Sequence, residues 1–468
     1  MTIDEILALE PAKTVKFLSV PRVDVGDKET ARKAFDGDHA IKSDPNRQPK
    51  TVGEGVNARL VTPNIEILTY QKKITVTSTA FLFGAPVKLS CPQKDASSQD
   101  SFKAFKTLWD ALKLDYFNAR LMETVCIERE AAELWYAYKD AENITKIRVI
   151  LLSAENGDQI FPHFDMFGDM DAFCRKYTVS NEKPDGGVEK IERFDVYMAD
   201  RTVHYRRIGG TWSEDPERPV EPNIFKKIPV VYYSQRNTEW ADVQTLIERA
   251  EDMISNHADL NDYFAGPMLQ VFGELLSAPD KKSMAKMLQF KGIPGPDGKI
   301  NYGHAEYLVW EHSPESLKIE MENVRGLIHS LSHTPDLSFD NVKGLGNISG
   351  IALKLMFLDA LIKRANKEQR VYGEGISRRI SLMKAILGAV NLSAQKTMAE
   401  LKIDFEFGSI LPDDLVTLMQ NLTTGTGGRA VMSQRTAVNH NPLVDDVDAE
   451  MKQIETEQSG DMAGSLNL

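Results

Sequence analysis

Cysteine is scarce in this chain of 468 residues: Cys91, Cys126 and Cys174 are odd in number, and no two stand in a CxxC spacing. That excludes a disulfide framework or a zinc ribbon as the basis of the fold and predicts three thiols in a reducing compartment. Long apolar runs are lacking too. No stretch approaches the roughly 18 to 20 residues that span a bilayer, and residues 1–6 have neither the basic nor the apolar region of a secretory signal. The expectation is a cytoplasmic protein with no membrane partner. Positive charge falls short as well, with 56 Lys and Arg against 68 Asp and Glu, a net charge of -12. A surface of that sign does not grip nucleic acid throughout; it leaves local contacts, or a face that repels phosphate.

Catalytic signatures are missing in the same way. Gly344-x-Gly346-x-x-Ser349 has a serine where a dinucleotide loop has its third glycine, and a helix precedes it instead of a strand. No Gly-Lys-Ser/Thr follows, so it is no phosphate loop. His329 and His333 stand four apart as zinc ligands do, but the glutamate of a zinc hydrolase is absent between them, and they read as a polar helix face. His163, Asp165, Asp169 and Asp171 match no calcium loop and read as a solvated, turn-rich edge. With no local signature of a nucleophile and its base, the sequence predicts neither an enzyme nor a cofactor or metal.

What is present is a 42% hydrophobic composition, enough for two to four structural units and a substantial core. Residues 1–60, rich in Lys, Asp, Pro and Gly, read as a mostly irregular arm with one short helix. Ile65, Leu68, Val76, Ala80 and Phe83 form a helical stripe stopped by Gly84 and Pro86, although Ile74-Thr75-Val76-Thr77 also alternates as a strand would, and a further helix is expected over residues 101–130. The period then changes to two: Leu134, Tyr136 and Tyr138, then Ile147 and Val149, and after the Pro184-Asp185-Gly186-Gly187 turn Phe194, Val196 and Met198. That predicts an antiparallel sheet with one buried face.

Ile228-Pro229-Val230-Val231-Tyr232-Tyr233 is an apolar strand entering a long helix capped by Asn237 or Thr238, with a stripe from Val243 to His257 and a stop at Gly266-Pro267. A small unit follows over residues 267–312, with strands at 269–272 and 307–310, a short helix at 280–288, and a turn at Pro294-Gly295-Pro296-Asp297-Gly298. Ser313-Pro314-Glu315 opens a second long helix, whose Leu317, Met321, Val324, Ile328 and Leu331 fall on a heptad seam. The two helices should be neighbours that bracket the small unit. A Gly-rich loop over 336–349 leads to a helix running to about Ala389 with a bend at Gly373 and Gly375, then a strand over 401–407 that returns to the sheet. Short helices at 413–422, 433–439 and 445–456 precede a frayed tail from Ser459.

Charge divides this central region. Residues 237–266 hold Glu239, Asp242, Glu248, Glu251, Asp252, Asp259 and Asp262 against Arg249 alone. Residues 350–390 hold Lys354, Lys363, Arg364, Lys367, Arg370, Arg378, Arg379 and Lys384 against Asp359, Glu368 and Glu374. They read as distinct acidic and basic regions, either solvated faces that pair between subunits or surfaces with separate jobs.

The order of parts resembles the portal proteins of tailed double-stranded DNA bacteriophages, of the siphophage type. The residues that carry the likeness are Ile228-Pro229-Val230-Val231 with Asn237, Asp242, Leu246 and Ile247; Gly344-x-Gly346-x-x-Ser349-Gly350-Ile351-Ala352-Leu353; and Met432-Ser433-x-x-Thr436-Ala437 with Asn441-Pro442-x-Val444-x-Asp446. The resemblance implies a multi-domain α+β portal fold: a mixed wing containing an antiparallel sheet, two long stem helices, a small α/β clip, a tunnel loop with a long kinked helix, and a short helical crown. Its boundaries here are an N-terminal arm at 1–60, wing at 61–236 and 350–410, stem helices at 237–266 and 313–335, clip at 267–312, tunnel loop at 336–349, crown at 411–458 and a flexible tail at 459–468.

The same resemblance implies a homo-oligomeric ring, a dodecamer in the virion, at one capsid vertex. Double-stranded DNA passes through such a ring without sequence specificity during packaging and ejection. The implied partners are the large terminase subunit, head-completion or adaptor proteins, and the major capsid and scaffolding proteins, with assembly in the host cytoplasm. The expected DNA-contacting loop residues are Lys343, Gly344, Gly346 and Asn347; Glu239, Asp242, Glu248, Asp252 and Asp259 are expected to repel DNA along the channel; Lys281, Lys282, Lys286 and Lys299 are the expected clip partner surface. The alternative reading is a coiled-coil adaptor or scaffold, which accounts for the heptad seam but not for the sheet or the inserted small unit.

Overall fold

Where the sequence alternates with a period of two, the chain builds antiparallel sheet. A computed structural model describes residues 1–52, 55, 58–182, 188–264, 269–277, 288–294, 296, 300–307, 314–336, 354–411, 432–439 and 447–465. It separates into Met1–Asn341 with Phe357–Ile410, and Val342–Met356 with Leu411–Leu468.

In the larger unit, after the short strands β1 (Lys50–Val52), β2 (Arg59–Val61) and β3 (Lys88–Ser90), strands β4 (Glu130–Lys139), β5 (Thr145–Leu152) and β12 (Val230–Ser234) form a three-stranded sheet with β4 central and Leu134 opposite both Ile150 and Val230. A second sheet holds β6 (Gln159–Phe164), β7 (Met170–Glu182), β8 (Val188–Tyr197), β9 (Arg201–Ile208) and β10 (Thr211–Glu214), with β11 (Glu221–Pro222) also on β9. The two sheets meet through Leu134, Leu152, Phe173 and Tyr232, side chains placed on inner faces by the two-residue repeat.

The arm departs from expectation. It carries α1 (Ile3–Leu7), α2 (Pro11–Leu18) and α3 (Val25–Phe35). Thr2 and Glu5 make a reciprocal capping box, Pro11 opens α2, and Asp24 caps α3 through Gly26 N–H at 2.8 Å. Ile6, Val15 and Leu18 then bury against Phe161, Phe194 and Tyr205 of the larger sheet. Helix α4 (Tyr70–Phe83) ends at Gly84 as expected, but Ile65 and Leu68 of the expected stripe lie ahead of it, outside the helix. The helix expected over 101–130 is two, α5 (Ala96–Ala111) and α6 (Leu114–Glu128), because Lys113 between them adopts the left-handed conformation at φ 53°.

The first long helix, α7 (Gln244–Phe264), has 21 residues, about 32 Å, and begins later than Asn237 or Thr238. The cause lies in α6. Gln235 N–H donates to Arg129 O and Glu239 N–H to Cys126 O, so the chain is spent on closing the end of α6 before α7 starts. The second, α8 (Pro314–Leu331), lies where the seam predicts it. Val324 and Ile328 are buried with Ile247 and Met253 of α7, whereas Leu331 is half exposed.

Between these helices the described strands form short antiparallel ribbons: Leu269–Phe272 pairs with His304–Tyr307, Leu275–Ser277 with Gln289–Phe290, and Gly292–Pro294 with Ile300–Tyr302. The short helix expected at 280–288 and the strand expected at 307–310 fall largely outside the described residues, as does the loop beyond Asp336.

The third long helix is α9 (Leu358–Lys367), a π-turn at Glu368–Tyr372, and α10 (Gly373–Val390). The irregularity thus precedes Gly373. Beyond the short α11 (Gln395–Glu400), Asp404–Glu406 pairs with Lys88–Ser90 and joins neither of the two larger sheets. In the smaller unit, Ser433 Oγ accepts Thr436 N–H (3.2 Å) at the start of α12 (Gln434–Asn439), and α13 (Val447–Ser465) continues through residues expected to fray. The helix expected at 413–422 lies outside the described residues.

Candidate functional site

Charge supplies the candidate site, since the acidic and basic stretches singled out in the sequence meet. Glu239, on the segment leading into α7, has a side chain 3% exposed; Lys363 Nζ of α9 lies 2.7 Å from its Oε1 and Lys367 Nζ 2.6 Å from its Oε2. Ser78 Oγ of α4 donates to the same carboxylate at 2.8 Å. Burial alone raises the pKa of this carboxyl, but the two ammonium groups overcome it and hold it down at about 2. Burial likewise opposes the charge on Lys367, and Cys126 and Glu239 more than offset it, leaving its pKa raised.

A second buried pair lies further along. Arg379 of α10 is completely buried, with Nε 2.9 Å from Glu133 Oε2 on β4 and Nη1 donating to Asn118 Oδ1 at 2.5 Å. Tyr233 Oη donates to Glu133 Oε1 at 2.9 Å, and its ring stacks on Tyr372 with centroids 6.0 Å apart. Gly375 lies against that ring: a Cβ at this position would overlap it. The π-turn and the glycine together let α10 lie flush on β12.

The acids of α7 and of the 3-10 turn (Ala241–Val243) that leads into it divide by partner. Arg47 of the arm is 7% exposed, with Nη1 3.1 Å from Asp259 Oδ2 and Nε 4.0 Å from Asp252 Oδ1, and donates to Asn256 Oδ1 at 2.7 Å. Asp259 also accepts Asn64 N–H (2.6 Å), and Asp262 accepts Asn64 Nδ2 (2.7 Å). Glu251 is buried, bonded to His39 and accepting Leu68 N–H at 2.9 Å. Asp242 and Glu248 are exposed; Glu248 accepts Gln244 Nε2 of its own helix.

Of the five expected channel acids, then, Asp242 and Glu248 stand at the surface, and Asp252 and Asp259 are shared with Arg47. Glu239 requires correction: its charge is cancelled inside the chain and repels nothing outside it. Lys343, Gly344, Gly346 and Asn347 lie outside the described residues, as do Lys281, Lys282, Lys286 and Lys299. For Lys363 and Lys367 the opposed charge of residues 237–266 and 350–390 is the signal in the sequence, whereas nothing local points to Arg47 as the partner of Asp259 or to Arg379 as the partner of Glu133. His329 is no exposed face either. It is buried, with Nδ1 bonding Thr334 O at 3.0 Å and its ring edge-on to Tyr70, and burial lowers its pKa. The edge expected at residues 163–171 is a hairpin tip, where His163 Nδ1 meets Asp171 Oδ1 at 2.5 Å.

The sites assembled here are joints between elements. A model of the family described as "Phage portal protein, SPP1 Gp6-like" matches residues 29–463. No curated protein matches. Among solved structures, a chain of "Virion of native gene transfer agent (GTA) particle" is similar at a TM-score of 0.38 and 9% identity, covering 93% of this chain and 97% of that one. A chain of "Neck of empty GTA particle computed with C6 symmetry" is similar at 0.35 and 8% identity, covering 79% and 87%. By the family match, which spans nearly its whole length, the chain belongs to the phage portal protein family.

Proposed function

We propose that this protein closes with further copies of itself into a ring at one capsid vertex, the conduit for double-stranded DNA during packaging and ejection. On this reading it is a structural component of the virion. It is also the docking site for the large terminase subunit and then for head-completion proteins. The observation that carries the reading is the family match over residues 29–463. The architecture supports it: α7 and α8 pack side by side, with Arg249 Nη2 2.7 Å from Glu320 Oε1, and the small β unit lies between them in the chain. The stem, clip, tunnel-loop, wing and crown boundaries are proposed on the same basis.

DNA must slide through such a ring, so phosphate contacts should be weak, because each neutralised phosphate adds affinity and salt dependence. Asp242, in the 3-10 turn just ahead of α7, and Glu248 on α7 supply repulsion, with a smaller share from Asp252 and Asp259. Lys343 and the backbone amides of Gly344, Gly346 and Asn347 give sequence-independent contact. The coiled-coil adaptor reading loses support, because seam residues Val324 and Ile328 are buried within the chain and not offered to a partner. Negative-stain imaging of the purified protein tests the ring: closed particles with a central hole are expected, and rods or filaments would overturn it. Within assembled particles, Lys343→Glu should lower DNA retention, and unchanged packaging and retention would remove Lys343 from the mechanism.

A further inference from the structure

The tip of the β6–β7 hairpin holds two large apolar side chains in water. Met166 is 90% exposed and Phe167 83% exposed. They are held up by a rigid turn. Asp165 Oδ1 accepts the N–H groups of Phe167 (2.8 Å) and Asp169 (2.9 Å), and Gly168 takes φ 90°. Fixed exposure of adjacent Met and Phe, flanked by two carboxylates, is what a contact site presents and what an isolated surface does not need.

The same chain carries a recess of matching character. A cavity of about 830 Å³ is lined by Ile224, Phe225 and Leu392 with Lys226, Lys227 and Lys384. Ile224 and Leu392 are 58% and 74% exposed, and Lys226 is held in the left-handed conformation at φ 52°. The lining holds three lysines and no carboxylate: Lys227 Nζ donates to Ser381 Oγ and Lys384 Nζ to Leu401 O, each at 2.5 Å, both neutral oxygens. Burial, and then the neighbouring Lys227 charge, lower the Lys384 pKa, and an incoming carboxylate would offset both. Phe164, next to the tip, lies with Tyr232 and Ser234, whereas the recess lies with Phe225 and Lys227 ahead of β12. Knob and recess therefore flank β12 from its two ends, and the exposure of the knob shows that it does not occupy the recess of its own chain.

We infer that the Met166–Phe167 knob of one copy seats in the Ile224–Lys227–Leu392 recess of the next, with Asp165 and Asp169 facing the lysines. Every copy carries both halves, so the contact is head to tail, the kind that closes a ring when the rotation permits. The inference rests on the proposed ring assembly and names one contact within it.

The test uses the full-length protein. Phe167→Asp and the double change Lys226→Glu with Lys227→Glu should each raise the concentration needed for assembly by roughly tenfold or more. Mixed together, they should form dimers, since one retains a recess and the other a knob. Phe167→Cys combined with Leu392→Cys in one chain, with Cys91 changed to Ser because it is the partly exposed native thiol, should give an oxidised ladder of covalent multimers, and the two variants with one added cysteine each should give only the dimer when mixed. Wild-type assembly by Phe167→Asp without any 167–392 crosslink overturns the contact and leaves the ring standing. A wild-type chain that stays monomeric at every concentration overturns both.

Discussion

Glu239 lies 2.7 Å from Lys363 and 2.6 Å from Lys367 with its side chain 3% exposed, so its worth is a matter of stability. Its carboxyl titrates at about 2 in the folded chain against an ordinary value of 4.5. A depressed carboxylate contributes stability that is fully present above the ordinary value and lost as pH falls through the folded one. Here that window runs from about 4.5 down to about 2, and linkage puts the contribution at roughly 3 kcal/mol. Glu239→Gln leaves two buried ammonium groups without their anion and should cost about 3–5 kcal/mol at pH 7. Urea unfolding should show the gap between variant and wild type narrowing as pH falls through that window. A constant gap would mean that the carboxylate is not what holds the two lysines.

At the scale of elements, two glycines in helices make opposite predictions. Gly375 of α10 faces the Tyr233 ring, which is fixed by its stack on Tyr372 and its bond to Glu133. Gly375→Ala should therefore destabilise by roughly 1–3 kcal/mol. Gly326 of α8 has nothing within 4 Å of a new Cβ, so Gly326→Ala should stabilise by about 0.5–1 kcal/mol. Opposite shifts in melting temperature would bear out both, and equal shifts would sink the packing argument. The long helices and the antiparallel sheets were legible because period and stop signals are local: Pro314 opens α8, and Leu134, Tyr136 and Tyr138 alternate along β4. The start of α7 was not, because the carbonyls that engage Gln235 and Glu239 belong to Arg129 and Cys126, more than a hundred positions earlier. The candidate site was half legible for a related reason. A sequence shows the sign of a charge but not its partner, and Glu239 and Asp242 look alike until the side chain of one is covered.

Across the larger unit, the arm behaves as a strap. Its first two helices pack on the larger sheet, Lys28 Nζ lies 2.5 Å from Glu130 on β4, and Arg47 reaches Asp259 on α7. Arg47→Ala removes several charge-assisted bonds at once and should destabilise by about 1–3 kcal/mol. Hydrogen exchange should quicken along Gln244–Phe264 while β4 stays protected; uniform quickening, or none, would show that the strap does not specifically restrain α7.

The strap also has a consequence in time. His39 and Glu251 are 212 positions apart in the chain, as are Arg47 and Asp259. At a synthesis rate of about 5–20 residues per second, the arm leaves the ribosome roughly 10–40 seconds before the helix that receives it. During that interval His39 and Arg47 are without their native seats, and neighbouring nascent chains on one message can exchange arms.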